Sequence, residues 1–171
     1  MKAIFERRSI RKYDPSKEVT KEQIEGLLKA AMFAPSACNT RAWDFIVVTD
    51  KAVKEKLAAV HPYAKMLTTA SCAIIVCALP KRQSEINIAV GYFPQDCAAV
   101  TMNILLEATD TGLGSCWCGV YPKEDRIKEL REIFSLPEEV IPFNIIAIGY
   151  PSEKPEARGR FEPEKVHYNK W

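Results

Sequence analysis

The run Cys72-Ala73-Ile74-Ile75-Val76-Cys77-Ala78 is apolar on both faces of an extended backbone, and it constrains this chain more than any other stretch. A strand with one face in water alternates polar and apolar residues, whereas one apolar on both faces belongs inside a sheet that is covered on each side. Amphipathic helices supply the cover. Thr20-Lys21-Glu22-Gln23 has the form of a capping box, followed at helical spacing by Ile24, Leu27, Leu28 and Ala31. That helix is predicted to end near Ala34, because Pro35 disfavours helical dihedrals in the residue before it. Asp50 reads as the cap of a second helix, Lys51 to about Val60, with Val53, Leu57 and Val60 inward. Asp96 reads as the cap of the longest helix, about Cys97 to Thr111, which leaves little polar face and is expected to be buried nearly all round. A last helix is expected over Glu124–Phe134, and further strands over Phe45–Val48, Cys116–Tyr121 and Phe143–Gly149. Helices interspersed with four scattered strands predict an α+β fold, a sheet sandwiched by helices.

The length, 171 residues, fits one domain spanning 1–171, and no repeat, low-complexity tract or linker divides it. No apolar run reaches 18 residues, so no membrane span is expected; Met1–Ile10 has no apolar region after its basic residues, so no signal peptide is expected and a cytoplasmic location is. A net charge of only +2 gives no overall field suited to nucleic acid. Cys72, Cys77 and Cys97 read as small buried hydrophobes. Cys116-Trp117-Cys118 is read as placing its two thiols on opposite faces of a strand, which argues against a metal or redox pair. With His61 and His167 the only histidines, no metal site is expected. Trp43 and Trp117 read as core residues. Pro80–Pro94 shows no clear period and reads as an irregular, lid-like insertion.

The cations are not spread evenly. Arg7-Arg8-Ser9-Ile10-Arg11-Lys12-Tyr13 holds four in seven residues, with Glu6 the one acid close by. Guanidinium groups this crowded repel one another unless an anion joins them, and the planar fork of arginine matches phosphate oxygens two at a time. The segment is either a phosphate-binding arm or a basic surface. Gly112-Leu113-Gly114 is either a helix stop or a place where backbone N–H groups approach a flat ring closely.

Four features then occur in order: the basic arm with its serine, the loop Pro35-Ser36-Ala37-Cys38-Asn39 running on to Trp43, the turn Gly112-Leu113-Gly114-Ser115-Cys116-Trp117, and Ala147-Ile148-Gly149-Tyr150-Pro151 before a basic tail. Together they resemble the nitroreductase family of FMN-dependent oxidoreductases, in its short form, over essentially the whole chain. The resemblance implies a three-layer α-β-α sandwich with a mostly antiparallel central sheet, in an intertwined homodimer with FMN at the interface and the tail, about 150–171, packed on the partner subunit. It implies that Arg7, Arg8, Ser9 and Arg11 hold the phosphate and ribityl chain, joined by Arg158 and Arg160. Pro35, Ser36, Ala37, Cys38 and Asn39 would approach the flavin from the other subunit, and Gly112, Leu113, Gly114 and Ser115 would lie beside the ring. Lys65 falls near a flavin-contacting lysine of some members. Where the family loop usually reads Asn-x-Gln-Pro-Trp, this chain has Asn39-Thr40-Arg41-Ala42-Trp43, which marks Arg41 as a candidate substrate contact.

The expected activity is hydride transfer from NAD(P)H through flavin N5 to a planar acceptor such as a nitroaromatic or quinone, with ping-pong kinetics. The flavin carries the chemistry, so no catalytic side chain is expected. No Gly-x-Gly-x-x-Gly follows a strand, so the nicotinamide is expected to bind transiently. Arg41 and the loop Pro80–Pro94 keep an alternative open: a flavin-binding, flavin-modifying or dehalogenating relative without general reductase activity.

Overall fold

The computed structural model describes residues 2–156 and 159–171. In chain order it runs α1 (Lys2–Glu6), α2 (Lys21–Met32), β1 (Trp43–Val48), α3 (Lys51–Val60), β2 (Cys72–Ala78), α4 (Lys81–Ser84), α5 (Phe93–Asp110), β3 (Gly114–Gly119), α6 (Glu124–Phe134) and β4 (Ile141–Gly149). The four strands form one antiparallel sheet in the order β1-β2-β4-β3.

All seven residues of β2 are buried, and their alternation divides them between two cores. Cys72, Ile74, Val76 and Ala78 face α2 and α5, packing with Leu27, Ala31, Val100 and Ile104. Ala73, Ile75 and Cys77 face α3 and α6, packing with Leu57, Ile127 and Leu130. The result is the expected three layers with helices on both faces of an antiparallel sheet. The caps of the two shorter amphipathic helices also form as read. Thr20 and Gln23 bond reciprocally, and the Asp50 side chain accepts the Val53 N–H at 2.9 Å.

Four expectations are corrected. The longest helix starts at Phe93, with Pro94 in its first turn where a missing N–H costs nothing, so Asp96 lies inside the helix and caps nothing. The same shift places the end of Pro80–Pro94 in α5; the rest holds α4 and a single 3-10 turn, Asn87–Ala89, and is not structureless. Cys116 and Cys118 do not point to opposite faces. Residues two apart in a strand share a face, and both thiols enter the α3–α6 core. Trp117, between them, is turned the other way and is 37% exposed, tilted against Phe143, whereas Trp43 is core as expected.

Candidate functional site

The N-terminal arm leaves α1 and crosses the free edge of β3. Ile10 N–H donates to the Ser115 carbonyl at 3.0 Å, and a short parallel bridge joins Ser9 to Ser115. Farther on, Ser152 N–H donates to the Lys12 carbonyl and Asp14 N–H to the Tyr150 carbonyl, each at 2.9 Å. Ile10 and Tyr13 are the anchors that point inward. Both are buried, and the Tyr13 hydroxyl donates to the Ile10 carbonyl at 2.8 Å. With these two turned in, Arg11 and Lys12 are exposed while Arg7 and Arg8 are half-buried.

Two cavities meet at Arg11. One, about 300 Å³, is lined by Arg8, Ser9, Arg11 and Arg160 together with Pro155 and Glu156. The other, about 500 Å³, is lined by Arg11, Lys65, Tyr63 and the β3 residues Cys116 to Gly119. The arm and Lys65 are thereby brought together, as is Arg160 from the far end of the chain. Arg158 lies outside the described residues.

Among the described residues no carboxylate lies within ion-pair distance of Arg7, Arg8, Arg11 or Arg160. Arg7 lines neither cavity, and its Nε is buried without a hydrogen-bond partner among the described residues, a costly state. Arg8 is steadied by carbonyls, donating to Phe5 and Arg7 at 2.8 Å each and to Glu156 at 3.2 Å. The Glu153 carboxylate serves the arm's backbone, accepting the N–H groups of Arg11 and Lys12.

The larger cavity has an open strand edge for a wall. Antiparallel pairing turns alternate N–H and C=O groups toward the neighbouring strand and the rest away. The Ser115 carbonyl points away from β4, since it accepts Ile10 N–H, so Trp117 and Gly119 are turned away as well. The Gly119 carbonyl receives two donors, His61 Nε2 at 2.9 Å and Arg126 Nη1 at 2.8 Å. His61 Nδ1 accepts the Tyr63 N–H at 3.3 Å, which leaves Nε2 as the donor. Burial, with Arg126 alongside, holds the His61 imidazole below its ordinary range and therefore neutral. Among the described residues the outward N–H groups of Trp117 and Gly119 meet no backbone acceptor along this wall.

Other candidates lie elsewhere. Gly112 (φ +77°) closes α5 in a Schellman arrangement, with Gly112 N–H to the Thr109 carbonyl at 3.2 Å and Leu113 N–H to that of Ala108 at 2.7 Å. Gly112 and Leu113 line a third cavity, of about 640 Å³, which shares Arg8, Pro155 and Glu156 with the 300 Å³ cavity, and Ser115 is buried. Gly114 approaches Ile10 rather than an open site. The loop from Pro35 to Asn39 lines neither Arg11 cavity in its own chain. Its Ala37 N–H donates to Asp96 Oδ1 at 3.0 Å, and Asp96 Oδ2 accepts from Gln83 Nε2 at 2.8 Å, both acid and amide being buried. Cys38, Asn39 and Arg41 all hold left-handed backbone (φ 49°, 55° and 48°), a concentration of strain in one loop. Arg41 Nε donates to Asn39 Oδ1 at 3.2 Å, so the candidate substrate residue is tied to its own loop.

Cys116 to Gly119, His61, Arg126 and Asp96 are not singled out from the sequence as site or network residues. A correct count of strand alternation would have placed both thiols together, and Pro94 would have placed the start of α5. Nothing local announces the rest.

Known proteins resemble this chain throughout. A model of the nitroreductase family matches residues 4–61 and 59–150. Two archaeal relatives carry the name "Putative NADH dehydrogenase/NAD(P)H nitroreductase". That of Methanothermobacter thermautotrophicus is 47% identical over 171 residues, covering 100% of this chain and 87% of that protein. That of Archaeoglobus fulgidus is 44% identical over 174 residues, covering 100% and 98%. The solved structure of an FMN-dependent nitroreductase from Clostridium difficile R20291 superposes with a TM-score of 0.89 at 32% identity, covering 100% of both chains.

Proposed function

This chain belongs to the nitroreductase family, and on that premise we propose that it is an FMN-dependent NAD(P)H oxidoreductase acting on a planar acceptor such as a nitroaromatic or quinone. FMN, when bound, supplies the two-electron chemistry that links NAD(P)H to the acceptor. The chain's own residues bind it, orient it and set its electrostatic surroundings. Arg7, Arg8, Ser9 and Arg160 are the phosphate donors, and each charge-assisted hydrogen bond to a dianion contributes about 1.5–3 kcal/mol. Arg11 and Lys65 place positive charge in the larger cavity, and the outward N–H groups of Trp117 and Gly119 offer donors to the edge of a flat ring.

The observation that carries this reading is the position of Arg11, which lines both the anion cavity and the ring-sized one. Such a junction suits a ligand with a phosphate at one end and a planar group at the other. Cavities of roughly 300–1,000 Å³ are the usual range for small-molecule sites. Donor and acceptor would take turns at the one larger cavity, which gives ping-pong kinetics.

A homodimer belongs to the same proposal. Phe5, Phe33, Phe161, Tyr168 and Trp171 are all at least 79% exposed, more aromatic surface than a solitary subunit ordinarily shows. The tail, about 150–171, would pack on the partner subunit, and the partner's copy of the Pro35–Asn39 loop would complete the site. Steady-state oxidation of NADH or NADPH with a quinone acceptor tests the activity. Turnover that depends on FMN supports it; none with either nucleotide contradicts it.

A further inference from the structure

We propose that Cys116 and Cys118 form a two-thiolate site for a soft, thiophilic ion in the wall of the cavity beside Arg11 and Lys65. The register of β3 against β4 pairs Cys116 with Ala147 and Cys118 with Ile145, so both thiols leave the strand on one face. Both line the 500 Å³ cavity although each residue is only 3% exposed, and the Cys118 thiol donates to the Tyr63 carbonyl at 3.4 Å. Among the described residues no group of three or more His, Cys, Asp and Glu is placed to hold a metal. A closed tetrahedral zinc site is therefore not on offer. Two sulfurs with no third protein ligand suit a soft centre that needs only two thiolates.

The electrostatics of the pair favour capture. The neighbouring Cys118 thiol, aided by Arg11 and Arg7 and opposed by burial, holds Cys116 down at about 7, while Cys118 is pushed up by Cys116 and burial. Elsewhere burial pushes Cys72, Cys77 and Cys97 up to about 12, leaving them inert. A trivalent arsenical illustrates the chemistry. Two As–S bonds form, the oxide oxygen leaves as water with both thiol protons, and nothing is oxidised or reduced.

Capture does not depend on the cofactor, but its position beside a flavin rests on the function proposed above. The test is intact-mass measurement of the purified protein, before and after stripping of bound flavin, with phenylarsine oxide and excess monothiol. One phenylarsenic group per chain is expected, lost in Cys116→Ser and in Cys118→Ser but kept in Cys72→Ser. Should the serine variants fail to fold, peptide mapping of the wild-type adduct must place the arsenic on the segment holding both cysteines. No adduct in either preparation, or one that persists in both single variants, overturns the proposal. Added FMN should slow capture; undiminished capture leaves the dithiol site standing and counts against the flavin reading of the cavity.

Discussion

The Ile10 side chain fills the space that a side chain at position 114 would need: a Cβ built on Gly114 would lie 2.9 Å from Ile10 Cγ2. Glycine at 114 therefore lets the N-terminal arm lie against the edge of β3 and bond to Ser115. Gly114→Ala should lift the arm or displace Ile10, at a stability cost of about 1–3 kcal/mol by overpacking. Urea unfolding measures that cost, and FMN titration should show weakened binding, because the guanidinium groups ride on the displaced segment.

Removing one of those groups separates anchoring from folding. Arg7→Ala should weaken FMN tenfold or more, as expected from losing about 1.5–3 kcal/mol of charge-assisted bonding. Arg11→Glu should do worse, since it sets a carboxylate where the two cavities meet. Fluorescence titration with FMN reads both, and circular dichroism should show the fold unchanged.

Gln83 and Asp96 predict an effect on stability. Asp96→Ala would leave the buried Gln83 amide and the half-buried Ala37 N–H without their acceptor, costing about 2–4 kcal/mol. Asp96→Asn, which keeps one acceptor oxygen, should cost less. Chemical denaturation checks both values, and the strained backbone at Cys38–Arg41 should become the first protease-sensitive site.

His61 sets a pH dependence. Its folded-state pKa lies below the ordinary 6.5, chiefly through burial, so the unfolded chain takes up the proton first as pH falls. Stability should decline on acidification from about 6.5 down to the lowered folded value, with no further loss from this group below it. His61→Gln should flatten that part of the stability–pH curve, measured by urea midpoints at a series of pH values.

What was legible in the sequence was local. The capping box at Thr20, the Asp50 cap and the two-faced burial of β2 each rest on residues within one element. The arm was legible as a concentration of charge, because Arg7, Arg8, Arg11 and Lys12 stand together within seven residues. Asp96 was misplaced because an acid before a helical pattern resembles a cap, while Pro94 marks the true first turn. Gln83 and Asp96 stand 13 residues apart and Ala37 a further 59 from the acid, and His61 meets Gly119 across 58. Only the folded sheet brings such partners together, so no local pattern records them. Gly112-Leu113-Gly114 was read as either a helix stop or a close approach to a ring; Gly112 closes α5, and the close neighbour of Gly114 within the chain is Ile10.

The central claim is that one ligand spans the two cavities joined at Arg11, with its phosphate on the arm and its ring against β3. Paired titrations of FMN and riboflavin test this most directly, since the two differ only in the phosphate. FMN should bind at least tenfold more tightly than riboflavin, and Arg7→Ala should erase most of that difference while leaving riboflavin affinity unchanged. Equal affinity for the two flavins in the wild-type protein, or no binding of either, would contradict the account.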